Sequence, residues 1–484
     1  MNALLNTLAP HLLAWGTLAI TLWASAHAIL KKEDTRAAVG WVGVIWLAPI
    51  VGAVLYALLG VNRIKRAAAN LRNERAAAAG EFRAEGCASP DPKDCLPSAA
   101  AHLASMERLV RSITDQPLRT GNRLTPLVNG DAAYPRMLEA IAHAQHSITL
   151  STYLFDYDAA GRRFIAALAE ARRRGVEVRV LIDAVGARYS FPRTAVGPLR
   201  RAGVRVARFL PTLGPWRTKY MNLRSHRKIL VVDGRCGFTG GMNIRHNHML
   251  ETAPRHPVQD LHFEVEGPVV GDLQAVFAED WAFTTGERLS GDLWFPALAP
   301  AGSVVARGIA DGPDEDYDKA RLTILGALAS AKHRVQIVTP YFLPDLPLIH
   351  ALHVAALRGV EVDILLPERN NLRVVGWASI SVLERVLQRD CRVWMTPPPF
   401  DHTKLMIVDG VWMLMGSANW DPRSLALNFE FNVEAYDEAL AARLGALVEQ
   451  KKVGARRLAR ADLDARPLPI KLRDGVARLL SPYL

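Results

Sequence analysis

The sequence predicts an α/β protein built from two similar halves and preceded by a two-helix transmembrane hairpin. Three observations carry this. Two long N-terminal stretches lack charge, helical and strand patterns alternate through the rest of the chain, and one polar motif occurs twice at the same spacing. The chain has 484 residues, enough for two or three domains with sizeable cores.

Residues 1–30 contain no Asp, Glu, Lys or Arg, and neither do residues 37–62. Each stretch exceeds the ~20 apolar residues that cross a bilayer core. A short charged turn, Lys31 to Arg36, separates them, so residues 1–62 read as a transmembrane helical hairpin. A cleaved signal peptide would carry a basic start and a short apolar core, and neither is present.

Residues 63–120 read as a juxtamembrane helical linker. It contains helices over 67–85 and 101–112 and a loop over 86–98, and no chemistry is visible in it. In the first half, 121–295, helical periodicity over Tyr134–Ala144 is followed by a strand pattern over Ser147–Phe155, a helix over Gly161–Arg174 and a strand through Val176–Ile182. The second half, 296–445, repeats the order: helix Ala320–Ala331, strand Val335–Phe342, helix Leu346–Arg358, strand Val360–Leu366. Arg174-Gly175-Val176-Glu177-Val178 is echoed by Arg358-Gly359-Val360-Glu361-Val362. Alternation of this kind implies an α/β sandwich in each half. The tail, 446–484, is basic: from Lys451 onward it holds nine Lys and Arg against three Asp, and Leu472, Val476, Leu479 and Leu480 fall on one helical face. A membrane-surface helix and a solvated helix docked on the domain are both open to it.

Composition narrows the partners. Lys plus Arg is 59 against 48 for Asp plus Glu, a net charge of +11 that favours anionic lipid surfaces, nucleic acid or phosphate-bearing substrates. The four cysteines, Cys87, Cys95, Cys236 and Cys391, have no metal spacing and form no disulfide framework, as expected of a reduced, cytosol-facing domain. His246, His248 and His256 cluster without the spacing of a metal site, so no metal is expected there.

The chemistry sits in the repeated motif. His226-Arg227-Lys228 runs into Ile229-Leu230-Val231-Val232 and ends at Asp233-Gly234, followed by Gly240-Gly241-Met242-Asn243. His402-Thr403-Lys404 runs into Leu405-Met406-Ile407-Val408 and ends at Asp409-Gly410, followed by Gly416-Ser417-Ala418-Asn419. A run of this kind bounded by Asp-Gly reads as a buried strand ending in a turn. Residues two apart on a strand share a face, so each His projects beside a Lys. Asp233 and Asp409 have the opposite parity and sit at the turn, a structural position. The small residues let backbone approach closely near a second strand.

The pattern H-x-K-x4-D-x6-G-[GS]-x-N, twice, resembles the phospholipase D superfamily. The words Asn222-Leu223-Arg224-Ser225-His226-Arg227-Lys228 and Gly416-Ser417-Ala418-Asn419-Trp420-Asp421-Pro422-Arg423-Ser424 resemble its bacterial cardiolipin synthases, as does the second N-terminal stretch. The resemblance implies two phospholipase D-like halves related by pseudo-twofold symmetry around one active site. It implies a membrane phosphatidyltransferase acting on phosphatidylglycerol, with no cofactor, no metal and no nucleic-acid partner. The motif as a whole, His226, Lys228, Asp233, His402, Lys404 and Asp409, is then the catalytic set. His226 is assigned as nucleophile and His402 as acid, and Lys228, Lys404, Asn243 and Asn419 hold the phosphate. By the same resemblance Asp260 orients His226 and Glu430 orients His402. Arg224 and Arg423 are further phosphate candidates, though an Arg in such a place is more often structural. The rival readings are a hydrolytic phospholipase D, a nucleic-acid phosphodiesterase and a non-enzymatic membrane scaffold. The hairpin and the lack of an aromatic-interleaved basic stripe oppose the phosphodiesterase, and two intact His-Lys pairs oppose the scaffold.

Overall fold

The structure, a computed structural model, describes residues 2–32, 35–57, 96–189, 194–211, 223–313 and 318–481. The turn around Glu33, the helix expected over 67–85, Cys87, Cys95 and the basic cluster between Arg63 and Arg75 lie outside the described residues. Two compact units form, Met1–Ala67 and Ala68–Leu484.

In the N-terminal unit, α1 (Asn2–Lys31) contains a stretch, His11–Lys31, long and apolar enough to cross a membrane, with mean hydropathy 1.4. The second stretch is not one continuous helix as the sequence predicts. It divides into α2 (Thr35–Leu47) and α3 (Pro49–Leu55) at Ala48, whose φ of −141° and ψ of 75° leave the helical region. Pro49 is the physical reason: its ring disfavours helical geometry in the residue before it and it has no N–H to donate. Both short helices pack on α1 through Ala24, Ala28, Ile45, Ala53 and Tyr56, and His27 Nδ1 lies 2.8 Å from the Tyr56 hydroxyl.

The larger unit repeats one sheet twice. In chain order the first half supplies β1 (Arg119–Val128), β2 (Ser147–Thr152), β3 (Glu177–Asp183), β4 (Arg205–Phe209), β5 (Ile229–Val232), β6 (Cys236–Gly240), β7 (Val258–Gln259) and β8 (Leu261–Glu266). The second supplies β9 (Val304–Asp311), β10 (Arg334–Val338), β11 (Glu361–Pro367), β12 (Arg392–Thr396), β13 (Phe400–Asp401), β14 (Leu405–Val408), β15 (Trp412–Gly416) and β16 (Glu430–Tyr436), with β17 (Arg456–Leu458) added from the tail. The first sheet runs β1-β8-β6-β5-β2-β3-β4 and the second β9-β16-β15-β14-β10-β11-β12-β17. Antiparallel pairing of β1 with β9 joins them into one fifteen-stranded sheet. The equivalent pairings Gly240↔His262 and Gly416↔Asn432 superpose Asp260 on Glu430.

β5 and β14 are buried on both faces, hence their unbroken apolar runs. Leu230 and Val232 face a core formed with the helices Asn129–His143 and Ala159–Arg173. Ile229 and Val231 face a second core that also takes in Leu405, Ile407 and the helices Val270–Thr285 and Glu438–Val453, so the two halves share it. Each strand thereby contributes to two cores by alternation.

The predicted helices and strands of both halves are present, with ends moved by a few residues. Two outlying segments are more integrated than their sequences show. Leu96 to Val110, in the expected linker, pack into the second half's core. In the expected tail, β17 pairs with β12 and the helix Leu468–Leu479 packs on the helix Arg373–Val386.

Candidate active site

Two segments cross between the halves. His226 N donates to Phe429 O and Phe429 N to Arg224 O, each at 2.8 Å, while His402 N donates to Gln259 O at 2.8 Å beside the parallel pair β7–β13. The residues that precede β5 and β14 are therefore laid against the opposite half's approach to β8 and β16. This brings the two histidine rings to a centroid separation of 6.4 Å in one cleft of about 560 Å³.

The same crossing exchanges the carboxylates. His226 Nδ1 lies 3.0 Å from Glu430 Oε2 and 3.0 Å from Ser417 O, and His402 Nδ1 lies 2.8 Å from Asp260 Oδ2. The assignment of Asp260 to His226 and Glu430 to His402 is corrected: each histidine is paired with the acid of the other half. The reason is lateral distance. Within one half β6 lies between β5 and β8, which puts their starts roughly 10 Å apart, beyond hydrogen-bond reach.

The lysines are held from below. Lys228 Nζ donates to His226 O at 2.6 Å and Lys404 Nζ to His402 O at 2.5 Å. Burial pushes both ammonium groups down, Lys228 to about 7 and Lys404 to about 8, despite nearby Glu430 and Asp260. Burial likewise lowers both imidazoles and both lysines add repulsion to each; His402 falls further than His226 because Glu430 pulls His226 back up. The acids diverge. Burial pushes Asp260 up to about 6 against the pull of Lys404. At Glu430 the same burial is outweighed by His226, Lys228 and the Ser417 hydroxyl, so its carboxyl sits below the ordinary range.

Asn243 and Asn419 both line the cleft. Asn243 Oδ1 accepts from Leu154 N at 3.0 Å, leaving its amide nitrogen as the donor end, and Asn419 Nδ2 donates to Ser424 Oγ at 3.1 Å. The small residues before them act as the spacing implies: a Cβ on Gly240 would meet Leu261 O at 2.7 Å, and one on Gly416 would meet Asn432 Cα at 2.6 Å.

Asp233 and Asp409 sit at the far ends of β5 and β14, on the order of 20 Å from the histidines. Asp233 accepts from the backbone N–H of Gln145, His146 and Ser147, and Asp409 from those of Lys332, His333 and Arg334. Both have left-handed φ, 52° and 51°, and open Asp-Gly turns with Gly234 and Gly410. They anchor hairpins. Their grouping with the catalytic residues is corrected on that geometry.

Arg224 is buried against Asp183, with Nη1 3.4 Å from Oδ1, and edges the cleft. Arg423 lines it too. His248 is buried with Nδ1 3.3 Å from Val258 O, and among the described residues no cluster of His, Cys, Asp and Glu has the arrangement of a metal site.

Two cleft residues escaped the sequence reading. Tyr153 and Tyr341 face His226 and His402 at centroid distances of 5.5 and 6.2 Å, following β2 and β10 in turn. The signal was the repeat itself, since Thr152-Tyr153-Leu154-Phe155 and Pro340-Tyr341-Phe342-Leu343 occupy matching places. With Leu154, Val185, Leu343 and Leu372 they give the cleft apolar walls around a polar floor.

Comparison with known proteins agrees with this architecture. The family described as "Cardiolipin synthase, PLD-like domain" matches residues 137–281 and 324–451, and "Phospholipase_D-nuclease N-terminal" matches 19–60. The chain is 33% identical to cardiolipin synthase A of Pseudomonas fluorescens (strain SBW25), covering 98% of this chain and 99% of that protein. It is 31% identical to the cardiolipin synthase of Geobacillus kaustophilus (strain HTA426), over 94% and 90%. Among solved structures, phosphatidylserine synthase from Haemophilus influenzae Rd KW20 shares the fold, with a TM-score of 0.63 at 15% identity over 78% of this chain and 100% of that one.

Proposed function

The chain belongs to the cardiolipin synthase family with its phospholipase D-like domain, and on that premise we propose that it transfers a phosphatidyl group from one phosphatidylglycerol to the hydroxyl of another, releasing glycerol. The observation that carries the mechanism is the single cleft in which His226 and His402 face each other, each with Nδ1 engaged by a carboxylate.

Engagement of Nδ1 leaves Nε2 of each ring for the substrate. His226 is the nucleophile. Glu430, ionised and buried beside it, orients the ring and balances the positive charge it gains. Nε2 of His226 attacks phosphorus, the bond from phosphorus to the glycerol oxygen breaks, and His402 gives that oxygen a proton. Burial and the lysines leave little proton on His402 at rest, and the Asp260 carboxyl, raised to about 6, shares the one it carries. The anionic phosphodiester offsets the repulsion from the lysines. In the second half-reaction His402 takes the proton of the incoming phosphatidylglycerol hydroxyl, whose oxygen attacks phosphorus as the bond to His226 breaks. Protonated Lys228 and Lys404, with the Asn243 and Asn419 amides, hold the phosphoryl oxygens throughout.

The N-terminal unit is the anchor. α1 crosses the inner membrane, and the broken helix beside it makes the second pass. Arg63, Lys65, Arg66, Arg72 and Arg75 follow that pass with only Glu74 against them. The turn has three basic residues and two acidic, so the balance favours a cytoplasmic catalytic unit. Reporter fusions at the turn and at Leu484 test this: an alkaline phosphatase at Leu484 that is active outside the cytoplasm would reverse the topology.

Purified chain incubated with headgroup-labelled phosphatidylglycerol tests the reaction. Cardiolipin and free glycerol in equal amounts are expected. Phosphatidic acid as the sole lipid product would make water the acceptor and the enzyme a hydrolase.

A further inference from the structure

The last helix of the described chain, Leu468–Leu479, is docked by one face and open on the other. Asp474 and Ala477 are buried beneath it, with Asp474 paired to Arg466 and Arg473. Arg473 also stacks on Trp377, its guanidinium 4.4 Å from the ring. On the outer face Leu468, Leu472, Val476 and Leu479 recur at helical spacing and are 60–73% exposed, and Leu480 continues the stripe. Lys471 and Arg478 flank it. Asp474 is the one acidic residue between Leu468 and Leu480, and it points inward.

Behind the helix lies a second cavity of about 620 Å³, lined by Arg369, Arg373 and Arg473 against one acidic residue, Glu368, with Trp377, Ile380 and Leu383. Arg473 is held by Asp474, so Arg369 and Arg373 are the guanidinium groups set over apolar walls, a match for a phosphate headgroup with acyl chains. The helix Arg373–Val386 also separates this cavity from the catalytic cleft. Arg373 and Gly376 face the cavity, whereas Leu372 and Val375 face the cleft, and Leu372 and Val374 stand exposed at its start.

We propose that Leu468–Leu480 is a membrane-surface helix that lies in the interface of an anionic bilayer. It inserts its leucine and valine stripe while the flanking cations and the arginine cavity meet lipid phosphates. The helix thereby holds the neighbouring cleft at the lipid surface from which its substrate comes. The stripe alone would also fit a second copy of the chain; the basic surround favours lipid. The surface stands independently of the proposed reaction, because its first readout needs no turnover.

The test uses the full chain in nanodiscs, with an environment-sensitive fluorophore on Leu472→Cys or Val476→Cys and the unmodified chain labelled in parallel to subtract the native thiols. In phosphatidylglycerol-containing discs the label is expected to shift to the blue and to be quenched by lipids carrying a doxyl group on the acyl chain. The response should weaken severalfold in phosphatidylcholine discs. A label that stays water-exposed in both would overturn the proposal. Shielding that appears in detergent without bilayer and grows with protein concentration would also overturn it, in favour of self-association. In a second arm, L472E/V476E is expected to raise the apparent KM for phosphatidylglycerol in vesicles at least threefold while kcat is kept. An unchanged KM would show that the stripe has no part in lipid access.

Discussion

The acids that serve the two histidines are 204 and 142 residues away in sequence, and each comes from the opposite half. His226, Lys228, His402 and Lys404 are legible because they repeat at one spacing. The pairing of histidine with acid is not, because nothing local encodes which half's backbone His226 and His402 hydrogen-bond. The exchanged pairing makes a directional prediction. Glu430 raises the His226 pKa, so Glu430→Gln should move the acid limb of kcat/KM to lower pH and cut kcat a hundredfold or more, in line with loss of an orienting carboxylate. An acid limb that stays in place would return Glu430 to His402. The lysines set the upper part of the alkaline side, above the loss of the proton that His402 and Asp260 share. Lys228 at about 7 and Lys404 at about 8 are charged below those values and neutral above, so kcat/KM should fall as pH rises through that range. Lys228→Arg should carry the limb upward, whatever it costs at the optimum. A limb unmoved by this change would assign it to another group.

At the level of strands and turns, the motif splits into a chemical end and a mechanical end. His and Lys precede each strand, and Asp closes it at the other end with three backbone N–H groups in its grip. Asp233→Ala leaves those donors without their acceptor, so it should cost about 2–4 kcal/mol of stability while the folded fraction keeps nearly normal kcat. Denaturant unfolding and an active-site titration separate the two effects, and a kcat loss at full stability would restore Asp233 to the chemistry. Gly416→Ala should behave in the opposite way. Its Cβ would collide with the backbone of Phe431 and Asn432, displacing β16 and Glu430 with it, so activity should fall far more than helix content by circular dichroism. Most elements were readable from periodicity. Composition does not show the division of the second apolar stretch, because it sees 26 uncharged residues, whereas Pro49 acts through one backbone position. The packing of Leu96 to Val110 into the second half leaves only a short amphipathic helix as its local trace.

For the molecule as a whole, the repeat predicted two α/β halves, and the strand orders agree between them. What the repeat could not tell is where they join. β1 and β9 are edge strands whose residues look like any other strand, and pairing them makes the sheet continuous and turns the histidine-bearing starts of β5 and β14 toward each other. The halves share a core as well as a cleft, so each chain should hold one reaction centre with one nucleophile. The most direct measurement of this is the number and position of covalent adducts in chain mixed with phosphatidylglycerol, quenched in alkaline denaturant during turnover and mapped by mass spectrometry. With one shared centre, at most one phosphatidyl group per chain is expected, on Nε2 of His226, and none in His226→Ala. Adducts on both histidines, or two per chain, would contradict it.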